Sequence, residues 1–223
     1  MAAKMLSNTF GKMLRESGQA LDRVGLTVSN TEIFRETLSR HRPIMSVLSQ
    51  KPMVAKGVFV APSATVVGQV SLHGESSIWY GAVVRGDQHK INVGTFSNIQ
   101  DRAIVSTMST ECTIGDYVTI GHGAMLTSCT VGDHCLIGQG AIIQERCVVE
   151  KLSMIAAGAV VLPETTVPSG QLWAGNPATF VRNVTDAEKT EMDRSAKAYA
   201  TLSKEHAAEF SSYGLEYQQA GQL

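Results

Sequence analysis

The chain has 223 residues, of which 43% are hydrophobic and 17% charged, and its formal net charge is -1. That length supports one globular domain with appendages and a sizeable buried core. The near-neutral balance, without a clustered Lys/Arg run, argues against nucleic acid as a partner, and no run approaches the roughly 18 consecutive apolar residues of a membrane-spanning helix.

The first predicted element lies within residues 1–45. In "MAAKMLSNTFGKMLRESGQALDRVG", Leu6, Phe10, Met13 and Leu14 recur at i, i+4, i+7 and i+8, and Lys4, Lys12 and Arg15 supply a basic face. This spacing predicts an amphipathic helix. An organellar presequence has the same character. The expectation is a retained helix that lies on a lipid surface or a partner, because an apolar stripe has to be covered; the alternative is packing on its own domain.

From Val60 the period changes. Apolar residues fall at Val60, Val66, Leu72, Ile78 and Val84, resume at Ile114, Ile120 and Leu126, and continue from Val131 through Ile137, Ile143, Val149, Ile155, Val161 and Val167 to Trp173. This six-residue repeat is neither helical nor simply alternating. Short parallel strands joined by tight turns satisfy it if three strands make one triangular coil about 4.8 Å above the last. A sandwich of unrelated strands would not hold that phase for so long. The predicted element is therefore a parallel β-helix over residues 46–182.

The phase slips between Val84 and Val131. Counting anchors gives seven residues from Val84 to Ile91, eight to Ile99, nine from Val105 to Ile114 and five from Leu126 to Val131. Such slips become loops or bulges that re-aim side chains. Arg85, Asp87, Asn98, Gln100, Asp101, Ser106 and His122 concentrate there, so periodicity alone points to a site in this region. Cys112, Cys129, Cys135 and Cys147 form no C-x-x-C pair and read as reduced packing thiols.

The last predicted element is a helix over residues 183–212, followed by a tail at 213–223. Thr185 and Glu188 form a capping box, and Ala187, Met192, Ala196, Tyr199, Leu202 and Phe210 can supply the apolar face. Such a helix can return along an open solenoid and cover it.

"SSIWYGAVVRGD", "NIQD", "TIGHGAML", "AAGAVVLP" and "WAGNPA" occur in an order and spacing that resemble the gamma-class carbonic anhydrases. "GQALDRVG", "LSRHR" and "VFVAPSA" resemble the mitochondrial branch of that family, and the likeness runs from about Gly18 to Phe210. The resemblance implies a left-handed parallel β-helix of hexapeptide repeats and a trimer. It further implies a peripheral place on the matrix side of the mitochondrial inner membrane, among the membrane-arm subunits of respiratory complex I.

A zinc site of this class needs three neutral imidazoles and one open position for water. In the family the first histidine follows NIQD by five residues, the second stands in the GH motif and the third follows five later. Here those positions hold Ser106, His122 and Thr127. Neutral hydroxyls are poor zinc ligands, so the chain is expected to hold no zinc alone. In the family the second histidine crosses to a neighbouring subunit's site, so His122 can complete a zinc site in a heterotrimer. The alternative is a metal-free hydrogen-bonded histidine in a subunit interface.

The resemblance also assigns Arg85, Asp87 and Asp101 to the trimer interface, Asp101 as a turn cap. Gln100 occupies the position that orients zinc-bound hydroxide, with a hydrogen-bonding role at the interface the alternative, and Tyr199 matches a tyrosine that can approach a neighbouring site, with packing the alternative. The loop "STMSTECT" is shorter than the family's usual version, which counts against catalysis. Two further readings remain: an acyltransferase with His122 as base, which this solenoid also supports, and a carbonic anhydrase with substitute ligands.

Overall fold

In the computed structural model the described residues are 41–47 and 49–211, preceded by Phe10, Gly11, Met13, Leu14, 16–21, Val24, Gly25 and Val28. Residues 1–40 and 41–223 form two separate compact units. The first is helical at its described positions. Phe10, Met13 and Leu14 are exposed, as are Leu21, Val24 and Val28. At about 100° per residue all six fall on one side of the helix, so the apolar stripe is longer than the sequence expectation named. Lys4, Leu6, Lys12, Arg15 and the tail at 213–223 lie outside the described residues.

The second unit is the expected parallel solenoid, of about seven turns. Three columns of apolar side chains fill it. Val66, Val84, Val105, Leu126, Ile143 and Val161 are register partners on one face. Leu72, Val93, Ile114, Val131, Val149 and Val167 stack on the second. Ile78, Ile99, Ile120, Ile137 and Ile155 stack on the third, which ends at the half-buried Trp173. Each fully buried aliphatic side chain contributes roughly 1.5–3 kcal/mol relative to exposure. The rungs lie so close that a Cβ on Gly138 would collide with the backbone nitrogen of Ala157.

The registers correct the count of phase slips. Val93, not Ile91, is the column member paired with Leu72 and Ile114, so one arc of nine residues runs from Val84 to Val93. A second runs from Val105 to Ile114, and a short arc of five from Leu126 to Val131. All three irregular arcs turn the same corner, between the first and second faces. Ile91 misled because it too is fully buried, paired with Val70 and Cys112. Pairing also begins earlier than residue 46, since Ile44 joins Val66.

Gln171–Ala174 pairs antiparallel with Thr179–Asn183, which ends the third face. The C-terminal helix, Asp186–Ser211, then returns along that face. Its capping box forms as expected: the Thr185 N–H donates to Glu188 Oε2 at 2.9 Å, and the Glu188 N–H donates to Thr185 Oγ1 at 3.3 Å. Met192, Ala196, Ala200 and Ser203 are buried, whereas Ala187 and Leu202 are exposed. The buried stripe is thus rotated from the expected one, because the face is set by where small side chains fit the sheet. Lys204 pairs with Glu75 at 2.7 Å, and the Lys197 ammonium lies 5.6 Å from the Tyr117 ring centre. Tyr117 stacks between Phe96 and His134, at 5.0 and 4.9 Å, in an aromatic ladder along successive turns.

Candidate functional site

Tyr80, Asp101 and His122 occupy the same turn position on three successive coils. The N–H of Arg102 donates to the Tyr80 carbonyl at 2.9 Å, that of Gly123 to the Asp101 carbonyl at 2.9 Å, and that of Gly140 to the His122 carbonyl at 2.8 Å. The residue after each turns through positive φ: 67° at Gly81, 59° at Arg102 and 65° at Gly123. That repeated left-handed residue superimposes the corners. Asp101 therefore sits directly over His122. Its Oδ1 accepts the Tyr80 N–H at 3.0 Å, and its Oδ2 lies 3.1 Å from His122 Nδ1. Asp101 thus caps the turn at Tyr80–Gly81 on the coil before and ties it to the coil after.

His122 and Asp101 stand with Tyr80, Arg102 and Gly123 around an open hollow of about 600 Å³. Their side chains are 40% and 41% exposed. At that exposure the pair adds little stability, and its effect is orientation of the ring. Behind the hollow, the Tyr80 hydroxyl and His206 Nδ1 are hydrogen-bonded at 2.7 Å. Burial, followed by the Asp101 charge, pushes the Tyr80 phenol upward. His206 is 126 positions away in sequence, and no motif pointed to it.

Ser106 and Thr127 lie at the far end of the first face. They are register partners on adjacent rungs, with Arg85 paired to Ser106 on the rung before. Both alternate with fully buried neighbours, Val105 and Leu126, so their side chains turn outward. His122 stands at the opposite end, separated by the strand Met125–Thr127, a distance on the order of 10 Å or more. One ion cannot touch both ends within one chain. A single imidazole and two remote neutral hydroxyls do not fit catalytic zinc. Among the described residues no three His, Cys, Asp or Glu side chains converge on a metal position.

Arg85 Nε pairs with Asp87 Oδ2 of its own chain at 3.3 Å, while Asp87 Oδ1 is buried with no hydrogen-bond partner among the described residues. An acceptor left so costs about 1–3 kcal/mol. Gln100 is buried and donates from Nε2 to Asn98 Oδ1 at 3.2 Å, and Asn98 Nδ2 donates to Thr119 Oγ1 at 3.0 Å. Tyr199 meets Trp79 edge-on at 5.5 Å and lies beside Gln100. Burial first, then Asp101, raises its phenol. Tyr199 thus packs over Gln100 of its own chain.

The four cysteines are buried thiols. Cys112 and Cys129 touch at 4.0 Å, and burial pushes the Cys135 thiol up to about 12. They serve as small interior side chains.

No family model matches the chain. It is 48% identical over 206 residues to "Gamma carbonic anhydrase 1, mitochondrial" of Arabidopsis thaliana, covering 89% of this chain and 75% of that protein. It is 41% identical over 183 residues to "Gamma carbonic anhydrase-like 1, mitochondrial" of the same plant, covering 79% and 73%. Among solved structures, a hexapeptide transferase family protein of Anaplasma phagocytophilum superimposes with a TM-score of 0.71 at 40% identity, covering 73% of this chain and 97% of that one.

Proposed function

The chain belongs to the gamma-class carbonic anhydrase family, and we propose that it serves there as a structural subunit whose own zinc set is degenerate. It takes its place in a trimer with other subunits of gamma carbonic anhydrase type, on the matrix side of the mitochondrial inner membrane. The trimer binds the membrane arm of respiratory complex I, and the contribution of this chain is assembly and stability. The observation that carries the reading is the Ser106–Thr127 pair. Two in-register hydroxyls stand where the family's chemistry needs two imidazoles, and a neutral hydroxyl competes badly with water for zinc.

Two further observations support the assembly. The half-buried Val83, Ile104 and Ile142 and the exposed Met125 align across the first face as outward register partners, an apolar surface suited to another solenoid. The exposed stripe through Phe10, Met13, Leu14, Leu21 and Val24 suits a lipid headgroup boundary or a membrane-arm groove. Complementation tests the proposal. A Ser106→Ala/Thr127→Ala chain should support assembly of the complex as well as the natural chain does, while removal of residues 1–25 should reduce co-purification with it. Loss of function in the alanine pair, with assembly intact, would show that the hydroxyls do chemistry and overturn the structural role.

A second reading is favoured by the Asp101–His122 contact at 3.1 Å. A histidine whose ring is held by a carboxylate is prepared to act as a ligand. His122 would complete the zinc site of a neighbouring subunit that supplies two histidines at the positions of Ser106 and Thr127, and carbonate dehydratase activity would then belong to the shared interface.

A further inference from the structure

We infer that Cys112 and Cys129 form a redox-modification site, where a small peroxide converts two thiols into a disulfide that staples consecutive coils of the solenoid. The site is independent of any metal. The two sulfurs touch at 4.0 Å although 17 positions separate them in sequence. Each residue stands immediately before a member of the register pair Thr113 and Thr130, on neighbouring parallel rungs. Rung spacing sets their Cα atoms about 4.8 Å apart, inside the usual disulfide range of roughly 4.4–6.8 Å. Side-chain rotation therefore suffices to bring the sulfurs to bonding distance. The other two thiols are turned elsewhere: Cys135 Sγ donates to the Glu150 carbonyl at 3.1 Å, and Cys147 Sγ donates to the Leu162 carbonyl at 2.9 Å. The hydrogen bond from Cys129 instead pulls the Cys112 thiol below its usual value, against the opposing effect of burial.

Cys112 also lies next to a way in. It follows directly on residues 108–111, all exposed, and one buried side chain holds that stretch down. The N–H groups of Met108 and Ser109 donate to Ser128 Oγ at 2.8 and 3.2 Å, and the Ser128 hydroxyl donates to the Thr110 carbonyl at 2.9 Å. Local opening of so short a stretch admits a molecule the size of hydrogen peroxide. The Cys112 thiolate attacks one peroxide oxygen and the O–O bond breaks. Cys112 becomes a sulfenic acid, and the other oxygen leaves as water with the thiol proton. The Cys129 sulfur then attacks the Cys112 sulfur: the S–S bond forms, the S–O bond breaks, and the hydroxyl leaves as a second water with the Cys129 proton. Two thiols lose two electrons and the peroxide gains them.

The test treats the folded full chain with hydrogen peroxide, alkylates the remaining thiols under denaturing conditions and maps the peptides by mass spectrometry. One disulfide, Cys112–Cys129, should appear, with Cys135 and Cys147 still free, and dithiothreitol should restore all four thiols. Closing a loop of this length should raise Tm by roughly 6–12 °C. Cys129→Ser, its fold checked by circular dichroism, should stop at a Cys112 sulfenic acid that dimedone traps. Ser128→Ala, which releases residues 108–111, should reach the bridge sooner at equal peroxide; an unchanged rate there would overturn the entry route. Four free thiols after treatment, a bridge through Cys135 or Cys147, or a bridge that forms only in urea would each overturn the site. An unchanged Tm in the bridged protein would overturn the staple.

Discussion

Replacing both hydroxyls with imidazoles, in Ser106→His/Thr127→His, should create a zinc-binding pair where the natural chain carries two neutral hydroxyls. The two positions are register partners on neighbouring parallel rungs, so their Cα atoms are about 4.8 Å apart. Tetrahedral zinc with Zn–N bonds of about 2.0–2.1 Å requires ligand nitrogens about 3.3 Å apart, which two stacked imidazoles reach by leaning together. With His122 of an adjacent copy as third ligand, the site is complete in a homo-oligomer. At free zinc about a hundredfold above Kd the gain is about 2.7 kcal/mol. For a unit of this size each kcal/mol moves Tm by about 2–4 °C, so the rise should be roughly 5–11 °C. Thermal unfolding with and without zinc, with oligomeric state followed by light scattering, reads the result. Adding His122→Ala should remove most of the shift. The same zinc-dependent rise in the natural chain, or none in a folded, oligomeric double variant, would refute the reasoning.

Leu126 is fully buried between Val105 and Ile143 in the first column, so Leu126→Ala should cost about 2–5 kcal/mol in urea unfolding; a cost below about 1 kcal/mol would contradict the stacked core. At the start of the C-terminal helix, hydrogen bonds from Arg182, then from Thr185, hold Glu188 down to about 2, from an ordinary 4.5. A depressed carboxyl contributes stability that is present above 4.5 and is lost as pH falls toward 2. Amide protection across residues 184–191, taken relative to the intrinsic exchange rate at each pH, should therefore fall through that acid window, and Arg182→Ala should shift the fall to higher pH. An unchanged exchange profile in Arg182→Ala would count against the Arg182–Glu188 contact.

The hexad was legible because an inward position needs an apolar side chain on every turn, and the columns reproduce it nearly residue for residue. The irregular corner was not. Ile91 and Val93 are both fully buried, and only register tells which belongs to the column. The same ambiguity concealed the contact that matters most. Tyr80, Asp101 and His122 stack because each intervening coil has 21 residues. Counting by eighteens misses them, though the turn residues Gly81, Arg102 and Gly123 carry that spacing. Ser106 fell within the slipped region, but its link to Thr127 could be drawn only through the family likeness, since Ser and Thr are ordinary outward residues of a strand. The Tyr80–His206 contact left no local trace, because it joins a turn to a helix that returns from the far end of the chain.

The most direct test of the degenerate site is anomalous scattering at the zinc edge from the native assembly. No zinc peak should lie within about 3 Å of the Ser106 and Thr127 hydroxyls, whatever metal the partner subunits hold elsewhere. A fully occupied zinc at that pair, with a water in its open position, would contradict the account and return the chain to the catalytic members of its family.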